Sequence, residues 1–220
     1  MYRALVFDIG NTLVRSADFL ESAYLEVFGR HGIPREKLQL FRQFAGRAKH
    51  LLFAEAWGNV SGKAELVREC MKELEEILVK ETASLEEVPG ASVCVRALDE
   101  RGWRIAMTSG FPRSVGATIL ARFGWTCPVV CDGDVKEHRP APDPVFKACQ
   151  LLGVTPAEAI VIGDTPQDVR SAQAAGACSI AVTTGKFRSE ELAEYHPTFV
   201  IAGIWELPAL LEREFSSVHR

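Results

Sequence analysis

The run Ala4-Leu5-Val6-Phe7-Asp8-Ile9-Gly10-Asn11-Thr12 decides the fold. Four apolar residues end on a carboxylate, and Gly10 and Asn11 then turn the chain. An unbroken apolar run of this length, closed by turn residues, predicts a parallel strand buried on both faces. Asp8 stands at the C-terminal end of that strand, the edge at which open α/β sheets bind their ligands.

The rest of the chain divides by its periodicity. From about residue 16 to residue 85 the apolar spacing is helical throughout, with a first helix carrying the stripe Phe19 to Phe28 and ended by Gly29–Pro34, and further helices expected over 36–44, 49–57 and 63–82. After Glu87-Val88-Pro89-Gly90 the texture changes to short apolar runs alternating with helices. Strands are predicted at 103–107, around 129–130, and at 159–162, 179–182 and 199–201. Such alternation indicates βαβ units and right-handed crossovers. The expected fold is α/β: a Rossmann-like parallel sheet core built from residues 1–15 and 86–220. An α-helical cap domain, residues 16–85, is inserted after the first strand.

Composition narrows the function. At 220 residues, with 47% hydrophobic and 25% charged residues, the chain can bury one good core with an insertion. A net charge of -4 and the lack of any Lys/Arg block argue against nucleic acid as a partner. No apolar stretch is long enough to span a membrane. The six cysteines form no C-x-x-C pair and no zinc spacing, so reduced thiols in a cytoplasmic protein are expected. The expected partner is a small metabolite, and the expected state is a monomer or homodimer.

Four predicted strand ends carry the candidate chemistry. Asp8 is the first. Thr108-Ser109-Gly110 offers hydroxyls and amides suited to phosphate oxygens. Arg139, in the rigid Arg139-Pro140-Ala141-Pro142 segment, supplies a permanent cation. Asp164 and Asp168, four apart at a helix start, can face one hard cation such as Mg2+.

Taken in order, Asp8-x-Gly10-x-Thr12, Thr108-Ser109, Arg139-Pro140 and Gly163-Asp164 through Asp168 resemble the four motifs of the haloacid dehalogenase superfamily. The resemblance covers nearly the whole chain and implies a Mg2+-dependent hydrolase of a small phosphorylated or phosphonylated metabolite. It implies Asp8 as the nucleophile that forms an aspartyl-phosphate, and Mg2+ among Asp8, the Gly10 carbonyl, Asp164 and Asp168. It further implies Thr108, Ser109 and Gly110 on the phosphoryl oxygens, with Arg139 offsetting their charge. Most members carry Lys at the third motif; arginine keeps the electrostatic role.

Gly10 is the departure that matters. Most phosphatases of the superfamily have there a second Asp, which protonates the leaving group and then activates water. Glycine can do neither, which argues against a sugar-phosphate mutase. The phosphonatase-like subgroup keeps Mg2+ with a small residue at this place and uses a cap lysine as a Schiff base. Ala45-Gly46-Arg47-Ala48-Lys49 is similar to the element bearing that lysine, which makes Lys49 the candidate. Two alternatives stand beside this reading. One is a phosphatase for small phosphomonoesters or acyl phosphates, phosphoglycolate-phosphatase-like, with an acid from the cap. The other is a phosphate-binding protein with little turnover.

Overall fold

The computed structural model describes residues 2–215. In chain order the strands are β1 (Ala4–Asp8), β2 (Val14–Arg15), β3 (Glu86–Glu87), β4 (Arg104–Pro112), β5 (Val129–Asp132), β6 (Ala159–Gly163), β7 (Cys178–Val182) and β8 (Phe199–Ile201). Six of them form one sheet in the order β5-β4-β1-β6-β7-β8, every neighbouring pair parallel. β1 is central, with Phe7 level with Met107 on one side and Ile162 on the other.

Side chains alternate across this sheet and sort by size. Leu5 and Phe7 share one face with Ile105, Met107, Ile160 and Ile162. That face packs on α5 (Ala91–Glu100), α6 (Arg113–Phe123) and α10 (Leu207–Phe215). Ala4 and Val6 share the other face with Ala106, Ala159 and Val161, against α7 (Asp143–Leu152) and Ala172 of α8 (Pro166–Ala175). The strict period of two explains both faces, and the small residues on the second let α7 lie close to the sheet. Leu5 and Phe7 are wholly buried, each contributing about 1.5–3 kcal/mol of burial.

The segment between β2 and β3 is helical: α1 (Ala17–His31), α2 (Leu40–Gln43), α3 (Lys49–Trp57) and α4 (Lys63–Glu81). β2 and β3 pair antiparallel, Val14 with Glu87 and Arg15 with Glu86, so the chain enters and leaves the helical segment through one short ribbon. Inside it, Tyr24 meets Phe28, Phe41 and Phe53 with ring centroids 5.1–6.2 Å apart. This aromatic group is continuous with the apolar cluster on the large-residue face of the sheet.

Three expectations are revised. The helix expected over 36–44 is a 3-10 segment, Arg35–Gln39, followed by the four-residue α2. Nothing in Arg35–Gln39 is buried, so no apolar stripe anchors a longer helix. The strand expected over 103–107 runs on to Pro112, so Thr108, Ser109 and Gly110 lie within β4 rather than after it. The ribbon β2–β3 and α9 (Ser189–Ala193) had no apolar run long enough to mark them. All six cysteines are free thiols. No helix among the described residues is long and apolar enough to cross a membrane.

Candidate active site

The C-terminal ends of β1, β4 and β6 meet α3 and the loop before it around a cavity of about 50 Å³. Asp8, Gly10, Lys49, Ser109, Gly110, Arg139 and Asp164 line it, so most residues singled out from the sequence converge at one place. Thr108 and Asp168 are buried behind the wall instead.

Asp8 ends β1 and is 5% exposed. Arg139 Nη1 donates to Asp8 Oδ1 at 2.7 Å and also to Asp168 Oδ1. The other Asp168 oxygen accepts from the Thr165 amide at 3.1 Å and the Thr165 hydroxyl at 2.5 Å, a capping box that starts α8. Asp168 thus has both oxygens engaged: it aims the guanidinium and fixes the helix that follows Asp164.

The Ser109 hydroxyl accepts from the Phe111 amide at 3.1 Å. Thr108 pairs with Val130 and Pro112 with Asp132, so β4 uses four steps where β5 uses two. This irregularity lifts Ser109, Gly110 and Phe111 out of the ladder and turns their backbone toward the cavity. A point one Cβ length from Gly110 is 3.3 Å from Lys49 Nζ and 3.9 Å from Arg139 Nη2. The equivalent point at Gly10 is 3.9 Å from both Asp8 Oδ2 and Phe111 Cε2. The nearest atom to that point is the Ser16 hydroxyl oxygen at 2.9 Å, so Ser16 and Phe111 together fill the place at position 10. The Lys49 ammonium is 5.2 Å from the Phe111 ring centroid.

Asn11 was not singled out from the sequence, although it sits in the opening motif. Its φ of +57° is left-handed, a region asparagine tolerates. Its amide reaches Asp164 Oδ2 at 3.5 Å, its Oδ1 accepts from the Ser16 amide at 3.1 Å, and its carbonyl accepts from the Thr184 hydroxyl at 2.5 Å. The Thr183–Phe187 loop was missed as well. It brings Lys186 and Phe187 to the cavity, and a Cβ on Gly185 would overlap the Asp164 carboxylate. The strand-end rule applied to β7 would have found this loop.

Burial dominates the electrostatics. It raises the Asp8 pKa to about 6, with Arg139 opposing and Asp168 assisting. Burial, then Asp8 and Asp168, raise Asp164 well above the ordinary carboxylate range. Burial would lower the Arg139 pKa, but Asp168 and Asp8 raise it on balance, so it stays charged. Lys49 keeps some accessible surface along the cavity, yet the protein packed around its ammonium, and then Arg139, lower its pKa to about 8.

Three carboxylates, Asp8, Asp164 and Asp168, thus face two cations, Arg139 and Lys49. The surplus is negative, and the two carboxylates lining the cavity are those whose charge is held back. Among the described residues no three His, Cys, Asp or Glu side chains group to hold a metal. Mg2+ takes one or two carboxylates and completes its shell with water and phosphate oxygens. The donor set of Asp8, Asp164 and the Gly10 carbonyl fits such an ion.

A model of the haloacid dehalogenase-like hydrolases matches residues 2–176. A phosphoglycolate phosphatase from Xanthomonas campestris pv. campestris is 26% identical over 94% of this chain and 98% of its own. Hexitol phosphatase A of Escherichia coli is 30% identical, covering 82% of each chain. Among solved structures, a hydrolase from Pseudomonas syringae superposes with a TM-score of 0.83 at 19% identity, over 96% of this chain and 98% of that one. With a parallel sheet of this order and an acidic site at its strand ends, the chain belongs to the haloacid dehalogenase-like hydrolases.

Proposed function

We propose that this hydrolase is a phosphatase for small phosphomonoesters or acyl phosphates, with Lys49 supplying the proton transfer that Gly10 cannot. The observation that carries the reading is the Lys49 ammonium in the wall of the cavity that Asp8 also lines, 5.2 Å from the Phe111 ring centroid, with its pKa lowered to about 8 by burial and Arg139. A lysine so perturbed exchanges a proton near neutral pH. The relatives named as phosphatases favour ester hydrolysis over phosphonate cleavage.

In this reading an Asp8 oxygen attacks phosphorus and the bond to the leaving oxygen breaks. Lys49 gives its proton to that oxygen. Water then attacks phosphorus from the vacated side and the Asp8 carboxylate is released, with the now neutral Lys49 amine taking the water proton. Arg139 and the irregular turn at Ser109–Gly110 stabilise charge on the phosphoryl oxygens. Mg2+, held by Asp8, Asp164 and the Gly10 carbonyl, would screen the repulsion between carboxylate and phosphate. Asp168 supports this set through Arg139 and Thr165. Residues 16–85 act as the cap that excludes water while Lys49 is in place.

The test is Lys49→Met on two substrates. With a simple alkyl phosphate, whose leaving group needs a proton, kcat/KM falls by about 10²–10⁴. With p-nitrophenyl phosphate, whose leaving group departs unaided, it falls less than about tenfold. An equal loss on both would overturn the assignment. The parent enzyme's rate on the alkyl ester should also decline above about pH 8, where the ammonium is lost.

The same lowered pKa, which leaves a fraction of Lys49 neutral near pH 8, favours a second reading, in which Lys49 condenses with a phosphonoaldehyde. Water leaves as the iminium forms; an Asp8 oxygen then attacks phosphorus while the electron pair of the breaking carbon–phosphorus bond flows to nitrogen, and the enamine left on Lys49 is protonated and hydrolysed to acetaldehyde. Borohydride with phosphonoacetaldehyde would then inactivate the enzyme and mark Lys49. No adduct under turnover conditions rules this reading out.

A further inference from the structure

The side of the cavity built from α1, α2 and the aromatic rings offers almost no hydrogen-bonding capacity. Leu20, Tyr24, Phe41, Leu52, Phe111 and Phe187 wall it. The Tyr24 hydroxyl, the one polar atom in that set of side chains, donates to the Lys49 carbonyl at 3.4 Å. Lys186 comes from the facing loop, but its ammonium is 2.9 Å from Glu21 Oε2 and 4.2 Å from the Phe41 ring centroid. Its charge is therefore compensated from within the protein. Thr165 spends its hydroxyl on Asp168. Lys49 alone presents an uncommitted polar group on the leaving-group side, its ammonium making no ion pair among the described residues. The space is also tight, since the cavity of about 50 Å³ is shared with the phosphoryl group.

From this wall we infer that the enzyme selects substrates with a short, hydroxyl-free leaving group carrying at most one polar function, which Lys49 meets, and discriminates against polyol phosphates. The inference rests on the phosphatase reading for the chemistry but on the wall for the selectivity. A hydroxyl carried into the apolar wall loses its water and finds no partner, a cost on the order of tenfold in affinity or more for each group. Polyol recognition needs a row of side-chain amides, carboxylates or hydroxyls, and no such row faces the cavity from α1, α2 or α3.

The deciding comparison is propyl phosphate against glycerol 1-phosphate, which adds two hydroxyls to the same three-carbon chain. With Mg2+ present, kcat/KM should favour propyl phosphate by on the order of 30- to 100-fold. The intrinsic leaving ability of the two alcohols favours glycerol, so the preference could not come from chemistry. Leu20→Asn, which offers a partner to a substrate hydroxyl, should narrow the ratio several-fold. Glycerol 1-phosphate turned over as well as or better than propyl phosphate would overturn the inference while leaving the phosphatase reading intact. If neither ester is hydrolysed, the phosphatase reading fails and calorimetry decides the selectivity. Propylphosphonate should then bind at least about tenfold more tightly than its 2,3-dihydroxy analogue; equal or reversed affinities would overturn the inference. The parent comparison decides the matter even if Leu20→Asn does not fold.

Discussion

Replacing Arg139 by methionine removes a guanidinium that two buried carboxylates share. Asp8 and Asp168 are 5% and 2% exposed, so neither can recover the lost interaction from water. Breaking a buried pair from one side costs about 3–5 kcal/mol, because an uncompensated charge is left behind. The loss should depend on pH with a definite sign. Asp8 has a folded-state pKa raised to about 6, above its ordinary 3.8, so between those values the folded protein binds more protons than the unfolded one. Stability from this group therefore falls as pH rises through that window. Without Arg139 the Asp8 pKa climbs further and the window widens upward, so the Arg139→Met penalty is larger at pH 7.5 than at pH 5. Urea unfolding in the presence of a chelator, at both pH values, measures it. Adding Asp8→Asn to the methionine variant should restore roughly 1.5–3 kcal/mol at pH 7.5, since the orphaned charge is gone. The reasoning is refuted if Arg139→Met lies within about 1 kcal/mol of the parent at pH 7.5, or if its penalty grows in acid.

Two further substitutions probe how the helical segment and the β7 loop meet the site. Gly46 has φ +73° and a Cβ there would overlap the Thr165 hydroxyl, so Gly46→Ala should cost about 1–2 kcal/mol from the backbone alone. Its kcat/KM should fall at least tenfold, with thermal unfolding shifted only slightly if closure over the site is what suffers; unchanged kinetics would count against that contact. Gly185→Ala drives its methyl into the Asp164 carboxylate without backbone strain. Mg2+ affinity measured by titration calorimetry should weaken by about ten- to a hundredfold while the circular dichroism spectrum is preserved, and unaltered affinity would remove Asp164 from the metal set.

The opening run was readable because β1 is buried on both faces, and a strand of that kind leaves an unbroken apolar signature. The same holds for β6 and β7, whose residues are all buried. β4 was harder. Its second half carries Thr108, Ser109 and Gly110, polar or small residues that look like a turn, and only the pairing with β5 shows them to be a displaced stretch of strand. Among site residues, Asp8, Arg139 and Asp164 were marked by charge at predicted strand ends, and Lys49 only by the resemblance of Ala45–Lys49 to a family element. The Asp168 link to Arg139 spans 29 positions and leaves no local trace, so its position behind the cavity wall could not be read. The apolar wall was hidden for the opposite reason. Leu20, Tyr24 and Leu52 fall on a helical stripe that is indistinguishable from ordinary core until the fold shows which part of it faces the cavity.

The position of β1 in the sheet also has a consequence for synthesis. Its two neighbours begin at Arg104 and Ala159, and the whole helical segment is made before either of them. At roughly 5–20 residues per second, the strand Ala4–Asp8 waits on the order of 5–20 s for its first partner and longer for its second. For that interval an apolar, uncharged tetrapeptide with both edges unpaired is exposed on the nascent chain. The helices that follow it can fold on themselves at once, because their contacts are local. The helical segment between β2 and β3 is thus ready before Asp8 has a sheet to stand on.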